Sequence, residues 1–275
     1  MIDLTFLSEN KVDHSECRAE FGLSMLIEAE GLKILFDTGA SDMFYENAEK
    51  LGVDLRNVDL CVISHGHYDH TEGLPAFCRI NETARIYLHK DALGVTYGTT
   101  DGTVDDYNCG ILWDDAAKDK VMARVTPTDG PVWIRDNIVI SGTIPDLPEF
   151  KPVELFYRET PSGLVPDTMS HEQFLAIGRE DGIWLFSGCS HKGILAAVEY
   201  AKVLFPGKPI AGIIAGMHLL SASNEVRGKI FDRIAAEHPK ILIPMHCTGL
   251  EAIVMARLKL GDKCLLAGAG SHYSF

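Results

Sequence analysis

Short apolar runs rich in β-branched residues recur along the chain, set apart by turns or by stretches of helical spacing. Ile2 to Leu7 predicts a first strand, and Phe21 to Glu28 with Leu32 to Phe36 predicts a hairpin turning at Glu30-Gly31. Helical spacing follows from Asp42 to Leu51. Val58 to Ile63 then predicts a buried strand, being short, apolar and β-branched. After Gly73-Leu74-Pro75 a helix leads to another β-rich run over Ala84 to Leu88.

The stretch from Lys90 to Gly130 breaks this rhythm. It carries Gly94, Gly98, Gly102 and Gly110, many acids, and isolated Tyr97, Tyr107 and Trp113. It is too irregular for core and too aromatic for a simple solvated loop, so 90–130 reads either as a lid or substrate-facing insertion or as a surface excursion. Strands are expected again at Val121 to Val125 and at Val132 to Ile140. Phe174 to Ile177 and Ile183 to Phe186 predict paired strands around the turn Glu180-Asp181-Gly182, followed by a helix over Ile194 to Leu204. Two more strands are expected at Ile210 to Ile214 and Ile241 to Pro244, and between them Val226, Ile230, Phe231 and Ile234 form one apolar helical face. The alternation of strands and helices predicts an α/β fold.

Candidate chemistry collects where strands end. Directly after Val58 to Ile63 comes Ser64-His65-Gly66-His67-Tyr68-Asp69-His70-Thr71, with three imidazoles and a carboxylate in six residues. His65 and His67, two apart at a strand end, can converge on one ion, while Asp69 and His70 can face a second. Neutral imidazole and carboxylate are the usual ligands of zinc, iron and manganese. The bland alternative is a histidine-rich surface loop, which four donors in the order H-x-H-x-D-H argue against. On this string the chain resembles the metallo-β-lactamase superfamily. That resemblance implies an αβ/βα four-layer sandwich, with two mixed sheets flanked by helices and a metal site at their common edge. It also implies a supporting role for Asp37, in Phe36-Asp37-Thr38-Gly39, which would hold a ligand histidine from beneath; a turn or cap residue is the other reading.

The expected strand Ile183 to Phe186 runs into Ser187-Gly188-Cys189-Ser190-His191-Lys192-Gly193, and the next two run into Ala215-Gly216-Met217-His218-Leu219 and Met245-His246-Cys247-Thr248-Gly249. The superfamily's third-motif histidine has no counterpart near Ser141-Gly142-Thr143-Ile144-Pro145. The resemblance therefore implies His191 as the replacement ligand. Cys189, at the position of the family's bridging Asp, is either a further ligand or an inert buried thiol. His246 matches the histidine that binds the second metal, and His218 the one that contacts substrate or handles protons. Ser190 to Gly193, at a helix start, is expected to suit a substrate anion. His14, His89, His171, His238 and His272 lack a motif or partner and read as surface or core residues, and Gly268-Ala269-Gly270 has no following helix to make it a phosphate loop.

With 275 residues, 46% of them hydrophobic, and no Pro- or Ser-rich linker, a single domain over 1–275 is expected. A formal charge of −14 disfavours nucleic acid and anionic lipid as partners. The Met1 to Phe6 start lacks signal-peptide character and no apolar run approaches a bilayer span, so a soluble cytoplasmic protein is expected, with no membrane partner. Seven cysteines without paired spacing agree with a reducing compartment. Gly-Cys-Ser-His, Gly-Met-His-Leu and His-Cys-Thr-Gly resemble one branch of the superfamily, which includes dihydropterin ribofuranosyl-aminobenzene phosphate synthases and many metal-dependent hydrolases. Glu72 and Phe21 depart from that branch beside the site. The expectation is a hydrolase with two divalent ions, zinc first, iron or manganese otherwise, acting on an anionic, phosphorylated small molecule. Asp69 and His218 are its catalytic residues, and His65, His67, Asp69, His70, His191 and His246 its ligands. The alternatives are a pterin-aminobenzene ribose phosphate transferase or an iron-binding redox or ligand sensor.

Overall fold

The computed structural model describes residues 1–148 and 154–275. In chain order the first elements are β1 (Ile2–Ser8), β2 (Ser24–Ala29), β3 (Leu32–Phe36), α1 (Met43–Lys50), β4 (Leu60–Val62), α2 (Tyr68–Thr71), α3 (Leu74–Ile80) and β5 (Arg85–His89). Then come β6 (Thr96–Tyr97), β7 (Thr99–Thr100), β8 (Thr103–Val104), α4 (Asp115–Met122), β9 (Val125–Thr128), β10 (Val132–Arg135) and β11 (Ile138–Ile140). The remainder are β12 (Tyr157–Thr160), β13 (Gly163–Pro166), β14 (Leu175–Arg179), β15 (Gly182–Ser187), α5 (Ile194–Leu204), β16 (Ile210–Gly216), α6 (Asn224–Ala236), β17 (Ile241–Met245), α7 (Leu250–Leu260) and β18 (His272–Ser274). By backbone contacts the chain divides into two compact units, one of residues 1–128, 156–167 and 267–275, the other of 129–155 and 168–266.

The first unit holds a seven-stranded mixed sheet in the order β18-β1-β2-β3-β4-β5-β9. Its register aligns Leu26, Leu35, Cys61, Ile86 and Val125 in one row. That row packs with Phe44 and Ala48 of α1, Leu74 and Phe77 of α3 and Val121 of α4. The alternating row Met25, Phe36, Val62 and Tyr87 is buried as well. Burial on both faces is why these strands read as continuous apolar runs rather than as alternating ones.

The second unit has a six-stranded mixed sheet, β10-β11-β14-β15-β16-β17, whose last three strands are parallel. Val139, Ala176, Leu185, Ile213 and Leu242 align across it. They form one core with α5, Phe231 and Ile234 of α6 and Ala252 and Ala256 of α7. In each unit consecutive parallel strands, β3-β4-β5 in one and β15-β16-β17 in the other, end on the same sheet edge. In open α/β sheets that edge is where ligands bind.

Several sequence expectations need correction. Val121 to Val125 is not a strand: Asp114 caps α4 by accepting from the Ala117 amide at 2.7 Å, and the Ala-Ala-Lys-Asp-Lys stretch that follows favours helix, so β9 starts only at Val125. Val132 to Ile140 is a hairpin, β10 and β11, turning at Asp136-Asn137. β2 begins at Ser24, leaving Phe21 exposed before it. Within 90–130, β6 joins β12 and β13 in a three-stranded sheet and β7 with β8 forms a small hairpin, whereas α4 and β9 belong to the layers of the first unit. Among the described residues no helix is long and apolar enough to cross a membrane. Because Leu185 is fully buried at the centre of its core, Leu185→Ala is expected to lower the unfolding free energy by about 2–5 kcal/mol. Urea unfolding measures this, and a loss under about 1 kcal/mol contradicts the placement.

Candidate metal centre

In the first unit the site grows from the ends of β3 and β4. Asp37 leaves β3 with φ of +59° and donates its amide to Val62 O at 2.9 Å, tying the two strand ends together. A carboxylate with no exposure must be compensated where it stands. Asp37 Oδ1 accepts from the Ser64 amide at 2.7 Å, and Oδ2 accepts from Ser64 Oγ at 2.7 Å and lies 2.7 Å from His70 Nδ1. His70 Nε2 is thereby turned away from Asp37 and stands 3.7 Å from Asp69 Oδ2. Ser64 Oγ also lies 2.9 Å from His65 Nδ1. The His65 ring centroid is 4.6 Å from that of His67 and 4.3 Å from that of His70. All three histidines and Asp69 are buried.

Backbone contacts hold this array still. Leu23 N donates to Asp69 O, Thr38 N and Oγ1 both donate to His70 O, and Thr71 Oγ1 donates to His67 O. Gly66, between the two histidines, is there because a Cβ would stand 2.2 Å from Ala92 O. The 90–130 segment reaches the same place. Cys109 O accepts from the Tyr68 amide, Trp113 Nε1 donates to Thr71 O, and the Leu112 amide donates to Glu72 Oε1. The Phe156 ring lies tilted against that of His67, centroids 4.8 Å apart. Burial pushes the Glu72 carboxyl above its ordinary range, the Leu112 amide opposing.

In the second unit the donors come from the ends of β15, β16 and β17. Ser190, His218 and His246 all have left-handed backbone, φ of +55°, +48° and +51°. Non-glycine residues seldom adopt it, and such outliers cluster at functional sites. The three loops are stitched together. Ser190 Oγ donates to Gly216 O at 2.7 Å, the Met217 amide to Thr248 Oγ1 at 3.1 Å, and the Leu219 amide to Cys247 O at 3.2 Å. At Gly216 a Cβ would meet Gly188 O at 2.3 Å and Cys247 Sγ at 2.9 Å. Cys189 Sγ lies within 4.8 Å of a donor atom of each of His191, His218, His246 and Cys247. The His191 and His218 rings are 4.3 Å apart, and His218 Nδ1 lies 2.9 Å from Glu154 Oε2.

Sequence reading missed three residues here. Glu172 accepts from the amides of His191 at 2.6 Å and Lys192 at 2.7 Å. Burial pushes its carboxyl up to about 7 against those two amides. The expected anion cradle at Ser190 to Gly193 is corrected accordingly: this internal carboxylate takes two of its amides, and the Gly193 amide donates to Ser190 O. Glu154, far from His218 in sequence, carries no motif at all. Burial works to raise it, but the His218 ring and the Ser221 hydroxyl hold it below the usual carboxylate range. Cys247 stands out in the sequence only as part of the His-Cys-Thr-Gly string. Burial raises its thiol, yet the hydrogen bond with Cys189 and the charges of His218 and His246 outweigh that and bring it down to about 5. Of the five histidines read as structural, His89 accepts from the Asp91 amide, His272 meets Thr5, His171 is buried, and His14 and His238 are exposed.

The donor set of the first unit fits a divalent cation. Three buried imidazoles and a carboxylate are gathered, and one ring has its far nitrogen engaged by a second carboxylate, the arrangement that fixes tautomer and orientation in metal-ligating histidines. Comparisons with known proteins agree. The family model described as the metallo-beta-lactamase superfamily matches residues 17–139. An uncharacterised protein of Methanocaldococcus jannaschii is 33% identical over 242 residues, 86% of this chain and 86% of that one. The 7,8-dihydropterin-6-methyl-4-(beta-D-ribofuranosyl)-aminobenzene-5'-phosphate synthase of the same organism is 30% identical over 249 residues, 85% of this chain and 83% of that enzyme. The crystal structure of Tm1679, a metal-dependent hydrolase of the beta-lactamase superfamily, superposes with a TM-score of 0.83 at 26% identity over 100% of this chain and 99% of that one. Since Gly66 meets Ala92 O so closely, Gly66→Ala is expected to cost about 1–3 kcal/mol. Thermal unfolding reads this, and an unchanged midpoint contradicts the contact.

Proposed function

Because the chain belongs to the metallo-β-lactamase superfamily, we propose that it is a metal-dependent hydrolase with a binuclear site, acting on an anionic, phosphorylated small molecule. The observation that carries this reading is the converging trio of His65, His67 and His70 with Asp37 fixed behind His70. In the proposed site His65, His67 and His191 would hold one ion, and Asp69, His70 and His246 the other. Such ions supply Lewis acidity and a water acidified to near neutrality. Asp69 would orient the attacking water toward the substrate. His218, its Nδ1 set against Glu154, passes a proton from Nε2 to the leaving group. Zinc is the first expectation, with iron and manganese as alternatives.

A small anion suits the chain better than a polyanion, since the net charge of −14 opposes nucleic acid at long range. The seven cysteines are all free thiols, which supports a cytoplasmic setting. A second reading is favoured by one specific similarity, the 30% identity with that dihydropterin-aminobenzene phosphate synthase: the ions would then bind the phosphate-bearing group of an aminobenzene ribose phosphate while it is joined to a reduced pterin.

The metal-loaded protein is expected to hydrolyse a model phosphodiester, with the activity lost in His67→Ala and kcat lowered by about 10²–10⁴ in His218→Ala. Activity in His67→Ala equal to wild type contradicts the proposal. Asp37→Asn keeps the left-handed backbone tolerable but removes the charge behind His70, and is expected to weaken metal binding by about 10–100-fold in a chelator competition. Unchanged affinity there contradicts the supporting role of Asp37.

A further inference from the structure

The second unit contains a donor cluster that the binuclear scheme does not use for metal binding. Cys189, His218 and Cys247 each offer a donor atom, and the three atoms lie within 4.8 Å of one another. Cys189 and Cys247 are buried and His218 is nearly so. Four features set the cluster up. Gly216 lets Cys247 Sγ approach to a position that any side chain there would contest. The His218 amide donates to Cys247 Sγ at 3.4 Å, an orienting contact to a sulfur ligand. His218 takes left-handed backbone. Glu154 Oε2 stands 2.9 Å from His218 Nδ1, which turns Nε2 to the opposite side of the ring. A carboxylate thus faces a histidine Nδ1 here too, as Asp37 faces that of His70 in the first unit.

We propose that Cys189, His218 and Cys247 form a site for one thiophilic divalent cation, zinc or iron(II), adjoining His191 and His246 through Cys189, with Glu154 as the positioning residue for His218. Two thiolates and an imidazole are the donor chemistry that selects such ions over magnesium, calcium or manganese. Sulfur ligands at about 2.3 Å from a tetrahedral ion stand about 3.8 Å apart, so the cluster closes on an ion with side-chain shifts of about 1 Å. Two thiolates also cancel the ion's double charge, so an occupied site adds no net positive charge. Three protein ligands leave a fourth position open. The assignment stands on second-unit residues alone and does not depend on the binuclear ligand sets. One consequence does rest on the proposed hydrolysis: a cation held by His218 Nε2 takes that nitrogen out of proton transfer, so the two uses exclude each other.

Cobalt(II) titration of the reduced, full-length protein tests this, because cobalt–thiolate bonds give a near-ultraviolet charge-transfer absorption that imidazole and carboxylate ligands do not. The band is expected in wild type and in the His65→Ala/His67→Ala double variant. It should fall with loss of one cobalt equivalent in Cys247→Ala, and its cobalt affinity should weaken by about 10–100-fold in Glu154→Gln. No band in wild type with cobalt bound, or an undiminished band in Cys247→Ala, overturns the proposal. Should Cys247→Ala fail to fold, zinc-edge X-ray absorption on wild type decides: a zinc–sulfur coordination number at about 2.3 Å that, multiplied by the measured zinc content, gives two sulfurs per chain is expected, and a shell of nitrogen and oxygen alone, or one sulfur per chain, overturns it. Persistence of the band in the double variant, with no ions lost there, would count against the binuclear scheme and leave the thiolate site standing.

Discussion

Asp37 is a fully buried carboxylate at the end of an internal strand, and its neighbours are disposed as such a charge requires. Leaving a charge of that kind unpaired in low dielectric is prohibitive, so every oxygen finds a partner. One oxygen receives the Ser64 amide, and the other the Ser64 hydroxyl and faces the His70 ring. Its backbone carbonyl accepts from Ser24 Oγ at 2.9 Å as well. These bonds fix where the chain turns after β4, which nitrogen of His70 points outward, and, through Ser64, how His65 is oriented. This carboxylate anchors the donors along Ser64 to Thr71 at Ser64 and at His70, and the backbone bonds to His67, Asp69 and His70 hold the array between.

The second unit solves the same problem by different means. Its strand ends carry no buried Asp; three left-handed residues and close interloop bonds turn the side chains of Cys189, His191, His218 and His246 toward one another. Left-handed backbone at Ser190, His218 and His246 costs of order 1–3 kcal/mol each. The surrounding parallel strands and their apolar layer are what hold those turns in place. Carboxylates enter here from outside the motifs. Glu172 ties down the amides of His191 and Lys192, and Glu154 faces His218.

Much of this was legible in the sequence, and for identifiable reasons. The strands were short, apolar and bounded by turns, so β1, β3, β5, β15, β16 and β17 fall where periodicity placed them. The donor residues sat directly after such runs, which marks a strand end without any structure. The membership of the superfamily and its fold followed from the H-x-H-x-D-H string and agree with the comparisons. What was illegible depends on distance in sequence or on weak local signals. Val121 to Val125 looks β-branched, but an Asp cap seven residues earlier and a run of helix formers decide the matter for α4. Glu154 and Glu172 have no spacing relation to the histidines they serve. Cys247 could not be tied to Cys189, 58 positions away, until Gly216 was seen to open the space between their loops. The supposed anion cradle failed because a helix start signals free amides, and nothing local reveals that a distant carboxylate has taken them.

The central claim is that two ions share a site assembled from the six proposed ligands. Metal content by mass spectrometry tests it most directly, on protein purified without chelators and loaded with manganese(II), an ion that thiolate ligands do not favour. The account predicts close to two manganese ions per chain in wild type and close to one in His191→Ala. Wild-type protein that retains no metal after loading, or His191→Ala that retains the full wild-type content, would contradict it.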